Sequence, residues 1–322
     1  MSPRSSAYSD GTKGFLFALS GAVLLSTNFI TGKYALEGFH PETFALIWTA
    51  AASFYSLMIV LFTGGWEQLA LPWSSLRSLI FIGIATGIGM LLGWTALDQL
   101  DPSFTAFLGR FRPVLIIVLS FIILGERLAS RELLPIGMMI AGCIFSAVGR
   151  WEIVGTGIVL AMSAAFMAAI QQVIAKIAVA RAHPNVMVFY RVVIAFVIIG
   201  TWNLLAGRAD FDVELSYWLV LLLGALLGPT LSFHLMYRAY RYWELSRAST
   251  VIIAQPLIVL PLAYVFLGTL PAEREMIGGF IIMAGAAWLG LIHFSAGRKA
   301  ETAVAVPKQN NKLVMARDHD VA

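Results

Sequence analysis

The chain repeats itself. Shifted by 143 positions, its two halves fall into register without a gap. His40-Pro41 meets His183-Pro184, Lys33 meets Lys176, and Gly64 meets Gly207. Pro113 meets Pro256, Gly125 meets Gly268, Arg131-Glu132 meets Arg274-Glu275, and Ala141-Gly142 meets Ala284-Gly285. An internal duplication inside so apolar a chain is the mark of membrane transporters built from structural repeats.

Lipid is the solvent that the composition requires. Of 322 residues, 59% are hydrophobic and 12% charged, where a soluble domain carries about a quarter charged. The one cysteine, Cys143, excludes an intrachain disulfide and a cysteine zinc site. The net charge of +4 comes from lysines and arginines in short loops and the tail. No nucleic-acid motif or basic stripe with interleaved aromatics accompanies it, so a nucleic-acid partner is not expected, nor is a metal or cofactor.

A bilayer core needs about 20 apolar helical residues. Ten runs meet that length approximately, giving an all-α integral membrane protein. They are Phe15–Leu36, Thr43–Phe62, Leu76–Ala96, Ser103–Leu124 and Leu133–Val148, then Ile153–Ala175, Val186–Leu205, Tyr217–Tyr237, Ala248–Leu267 and Met276–Phe294. The runs are too long and too uniformly apolar for barrel strands. Five spans per half is odd, so the second half must enter the membrane from the opposite side, and the repeats are inverted. The expected parts are an N-terminal tail at 1–13, repeat 1 at 14–149, repeat 2 at 150–296, and a polar, disordered tail at 297–322. With the N-terminus in the cytoplasm, 15 of the 22 lysines and arginines fall inside, four outside and three within spans. That bias places both termini in the cytoplasm.

This arrangement resembles the drug/metabolite transporter superfamily, and within it the EamA-like (RhaT-like) family. Phe121-Ile122-Ile123-Leu124-Gly125-Glu126-Arg127-Leu128 is similar to the family's Leu-Gly-Glu-x-Leu pattern, which follows an apolar run headed by proline, here Pro113. The second copy runs from Pro256 to Leu267-Gly268 but has Thr269 in place of the glutamate. Arg191, seven residues after Pro184, matches an arginine common in the second helix of family repeats; the first copy has Trp48 there. The resemblance covers roughly residues 15–295. It implies a secondary transporter of small organic molecules, often an exporter, in the bacterial inner membrane. Its partners are then a small-molecule substrate and the lipid bilayer; a homodimer is left open.

Arg110 and Arg112 head the candidate site. An arginine at the bilayer centre costs roughly 3 kcal/mol on insertion scales, so it usually faces a cavity or a partner. Pro113 disfavours helical geometry at Arg112, which predicts a broken helix with one arginine turned to the cavity. Gln255 matches Arg112 in the second copy and also precedes a proline, Pro256. Snorkelling of both arginines to the outer interface is the alternative. Asn28 and Gln171 are matched polar residues in spans one and six, either bonding between helices or touching substrate. Trp94 and Tyr237, also matched, are either cavity wall or interfacial belt. Arg191, Pro113, Pro256 and Glu126 are assigned to gating or structure. His234 is a candidate proton relay, with ordinary packing as the alternative. Lys33 and Lys176 read as interfacial anchors.

No Asp or Glu lies deep within a span, so a carboxylate proton relay at the midplane has no candidate. The leading function is a metabolite exporter working by rocking of two inverted halves, with a positive cavity suited to organic anions or amino-acid-like zwitterions. An intramembrane enzyme acting on lipid would need a Ser–His–Asp set or a metal cluster within the spans, and neither is present. A channel would need a ring of charge or a filter-like loop, and neither is evident. These two remain the competing readings.

Overall fold

The computed structural model describes residues 3–64, 66–112, 114–115, 118–119, 130–147, 151–178, 182–207, 210–242 and 254–305. Every regular element among them is helical. The first half holds α1 (Pro3–Ala35), α2 (Pro41–Gly64), α3 (Trp73–Gln99), α4 (Pro102–Leu108) and α5 (Ser130–Ala147). The second holds α6 (Trp151–Ala178), α7 (Pro184–Ala206), α8 (Leu215–Ala225), α9 (Phe233–Tyr242), α10 (Gln255–Leu267) and α11 (Glu273–Ala305). A π-helical stretch, Leu226–Ser232, joins α8 to α9.

Seven helices among the described residues are long and apolar enough to cross a membrane: Lys13–Ala35, Pro41–Gly64, Ser75–Gln99, Val154–Ala175, Asn185–Ala206, Leu215–Met236 and Glu273–Ile292. These cover spans one to three, six to eight and ten. The fifth corresponds to α5. The fourth and ninth lie partly outside the described residues. Large apolar side chains point outward, Phe62 being 87% exposed and Leu204 86%. In water such a surface would aggregate; in a bilayer it is solvated.

The duplicated His-Pro motif opens a helix in each half. Proline is favoured in the first helical turn because its missing N–H has no partner there in any case. Pro41 and Pro184 accordingly open α2 and α7. His40 and His183 then accept the first backbone bonds, from Phe44 at 2.9 Å and Met187 at 3.0 Å. Gly207 ends α7 in the left-handed region, with φ of 63°. Gly268 does the same for α10, with φ of 64°. A side chain would be strained at either.

Helix pairing crosses between the halves. α3 packs on α6, α1 on α8, the π-helical stretch and α9, α2 on α7, and α5 on α11. The contacts repeat under the 143-residue shift with the halves exchanged. Gly21 lies against Met236, and its shifted counterpart pairs Ala164 with Gly93. A Cβ at Gly142 would lie 2.7 Å from the Gly278 carbonyl oxygen, and one at Gly285 would lie 2.8 Å from that of Pro135. Small residues set these backbones close, which is how helices bind one another where no hydrophobic force operates.

α1 already begins at Pro3 and α11 runs on to Ala305, so helix enters both segments read as tails. Ala300, Glu301, Ala303 and Ala305, with Arg298 and Lys299, supply strong helix formers that prolong α11. Residues 306–322 lie outside the described residues.

Candidate functional site

Arg110 and Gln255 meet. The arginine Nη2 donates to Gln255 Oε1 at 2.8 Å. Arg110 is 7% exposed and Gln255 2%, so the bond joins the two halves away from solvent. Ala106 packs with Val259 and Ala263, which makes α4 and α10 antiparallel. The Asp101 end of α4 therefore lies at the Leu267 end of α10. At 1.5 Å per residue the Arg110–Gln255 bond is roughly 13–18 Å from those ends, about half of a 30 Å hydrocarbon core. The arginine is bonded to a residue of the other half.

The helix leading to it is set by local chemistry. Asp101 caps α4, accepting from the Ser103 N–H at 2.8 Å and the Phe104 N–H at 3.2 Å, which satisfies two donors at the helix start. Further on, Gly109–Phe111 tightens into a 3-10 turn. The Gly109 carbonyl would ordinarily accept from residue 113, but proline has no N–H. It accepts from the Arg112 N–H instead. This corrects the expectation for Arg112, whose φ of −50° and ψ of −45° are helical. The irregularity moves three residues upstream, to where a carbonyl lost its donor. Arg112 is half-buried, and it is Arg110 that bonds Gln255. Pro256 is buried in the first turn of α10. Pro113 and Glu126 lie outside the described residues.

On the other side of α1 the backbone is reshaped by Pro229. It removes the donor for Ala225, and α8 opens into the π-helical stretch. The Thr230 hydroxyl replaces that donor, bonding the Ala225 carbonyl at 3.1 Å. The widened turn brings Gly228 against Asn28, whose carboxamide occupies the space a Cβ at 228 would take. Gly224 likewise receives Thr31 and the Trp48 ring. α3, the matched helix, has Thr86 where Pro229 stands and is continuous.

Trp94 belongs to an aromatic cluster with Phe44 and Trp48. Its ring lies 4.7 Å from that of Phe44 and 4.9 Å from that of Trp48, both edge-on. The cluster abuts Gly32 of α1. Among the described residues the buried Asn28 Oδ1, Trp48 Nε1, Trp94 Nε1 and Gln255 Nε2 have no hydrogen-bond partner. Unmet polar atoms of this kind cost about 1–3 kcal/mol each. Gln171 is half-buried on α6. The side chain of Tyr237 lies outside the described residues, as does that of Lys176.

Arg191 is 4% exposed and lies over the Phe233 ring, 3.9 Å from its centroid. Its planar cation is held by an aromatic face at the junction of the π-helical stretch and α9. His234 Nδ1 is 3.0 Å from the Thr230 carbonyl; a carbonyl only accepts, so this nitrogen donates. That bond fits a histidine helping to close the π-helical stretch. Lys33 donates to the Leu97 and Asp98 carbonyls at 2.9 and 2.6 Å, so it fastens the end of α3. Thr31, Phe44, Pro229 and Thr230 were not among the sequence candidates. Pro229 carried the one usable signal, a proline inside a span with no proline at the matched position.

The sequence pattern of the EamA-like transporter family matches residues 12–148 and again 155–291. The chain belongs to the EamA-like transporter family. Both matches are displaced by the same 143 residues that relate the two halves, so each repeat is one family unit. EamA-like proteins are membrane transporters of small molecules, and the helices of this member are apolar enough for that setting. A solved crystal structure described only as "Crystal structure of protein" superposes with a TM-score of 0.61. It covers 87% of this chain and 97% of its own, at 20% identity. At that identity the likeness concerns the fold of this EamA-like chain. None of the curated proteins matches it.

Proposed function

We propose that this EamA-like protein exports small organic anions or amino-acid-like zwitterions across a bacterial inner membrane, with both termini cytoplasmic. Transport proceeds by alternating access between two inverted five-span halves. The observation that carries the reading is the buried Arg110–Gln255 bond, which brings one residue from each half together away from solvent. No acidic residue lies deep within a span, so cations set the field there. A substrate carboxylate replaces a neutral amide oxygen with a charged acceptor, and charge-assisted bonds are about twice as strong as neutral ones. Substrate then exchanges an inter-half bond for a tighter one, and that differential affinity is what shifts a two-state carrier. Asn28, Trp94, Gln171, Arg112 and Tyr237 are kept as the candidate substrate contacts. Arg191 braces the π-helical stretch. His234 is kept as the candidate proton site.

The test is counterflow in proteoliposomes, using solutes that raise the melting temperature of the purified protein, since ligands of the folded state stabilise it. Arg110→Met is expected to abolish counterflow of carboxylates while the protein still inserts. Competition by organic cations and not by carboxylates would sink the charge argument. Lack of saturation would favour a channel. The inversion has its own check: cysteines placed after Leu36 and after Ala175 are expected to label from opposite sides.

A further inference from the structure

Lys33 stands two residues before the end of α1 and reaches across to the last turn of α3. The carbonyls it binds, those of Leu97 and Asp98, are among the four that a helix end leaves without internal donors. A cation there also complements the helix dipole. Asp98, Asp101 and Glu37 lie within electrostatic reach of its ammonium. The same rim carries two aromatic pairs. Tyr34 and Tyr217 have ring centroids 5.2 Å apart, and Phe39 and Trp218 5.1 Å apart. α1 is thus fastened at this end to α3 on one side and to the start of α8 on the other.

The duplication supplies an internal control. Shifting by 143 turns Lys33 into Lys176, but Asp98 becomes Arg241 and Glu37 becomes Ala180. Tyr34 and Tyr217 become Ile177 and Ser74, and Phe39 and Trp218 become Ala182 and Ser75. The second copy keeps the lysine, loses two of its three acidic neighbours, gains a like charge, and loses both aromatic pairs.

We propose that Lys33 and these two aromatic pairs form a latch, which holds the resting carrier closed on the face opposite its N-terminus. Lys33 is a positioning residue in this scheme. The orientation of the two faces rests on the proposed function; the latch rests on the contacts.

The test is cysteine labelling in right-side-out vesicles, in a Cys143→Ser background with Met90→Cys as reporter. Met90 is half-buried against the aromatic cluster, two turns inward of Leu97 on α3. An impermeant maleimide is expected to label it slowly. Lys33→Met should raise the rate about threefold, the scale of a lost helix-end interaction. Lys33→Arg, which still donates to carbonyls, should leave it near the starting value. Tyr217→Ser, which installs the second copy's residue, should raise it without touching the lysine, and it carries the test if Lys33→Met fails to accumulate. Unchanged labelling in both loosening variants would overturn the latch, as would an equal rise in Lys33→Arg. Labelling requires no solute, so a failure of the transport reading in counterflow leaves this result interpretable.

Discussion

Gln255→Leu isolates the inter-half bond. The leucine side chain fits a similar volume but offers no acceptor to Arg110, which is 7% exposed and 2.8 Å from Gln255 Oε1. A hydrogen bond to a charged group contributes about 1.5–3 kcal/mol, and a buried charged donor left short of its acceptor adds to that loss. Gln255→Leu should therefore cost about 2–4 kcal/mol. Arg110→Met should cost less, because it removes the charge and leaves only an amide unmet, about 1–3 kcal/mol. The double variant should lie below the sum of the two and close to Arg110→Met, since removing both partners restores an apolar contact. The assay is reversible unfolding in mixed micelles, with all four proteins of the cycle measured under one condition. Additive losses, or a Gln255→Leu cost under about 0.5 kcal/mol, would refute the claim that this bond joins the halves.

Three other outcomes are expected. Gly228→Ala drives a methyl group into the Asn28 carboxamide and should cost about 1–3 kcal/mol, read as a lower thermal midpoint; Asn28→Ala in the same chain should recover part of it. Thr230→Val removes the hydroxyl that serves the Ala225 carbonyl and should lower stability by about 1–3 kcal/mol, whereas Thr230→Ser should hold close to the parent. Phe233→Leu strips the aromatic face from Arg191 and should cost about 0.5–2 kcal/mol, with Phe233→Tyr nearly neutral in the same unfolding assay.

Much of the architecture was legible because the duplication states it twice. The register that aligns His40-Pro41 with His183-Pro184 also predicts which contacts recur, and Gly142–Gly278 and Gly285–Pro135 recur as a shifted pair. The candidate site was legible only in part. Arg110, Arg112 and Gln255 stood out as polar residues in apolar runs, but matched positions relate Arg112 to Gln255 and do not say which arginine meets the glutamine. Residues two apart on a helix face different ways, and the 3-10 turn before Pro113 changes which way each faces. Asn28 was visible as a polar residue, but its seat on Gly228 depends on a π-helical stretch that Pro229 opens and Thr230 completes.

By itself the sequence determined the lipid setting, the helical class, the duplicated plan and the absence of acids deep within the apolar runs. Each follows from composition or periodicity, which are summed over many residues and survive errors at any one. Tertiary structure alone decided that Arg110 bonds Gln255, that Arg191 lies over Phe233, and that Lys33 fastens α1 to α3. These depend on side-chain direction and on local changes of helical pitch, where one displaced hydrogen bond redirects every residue beyond it.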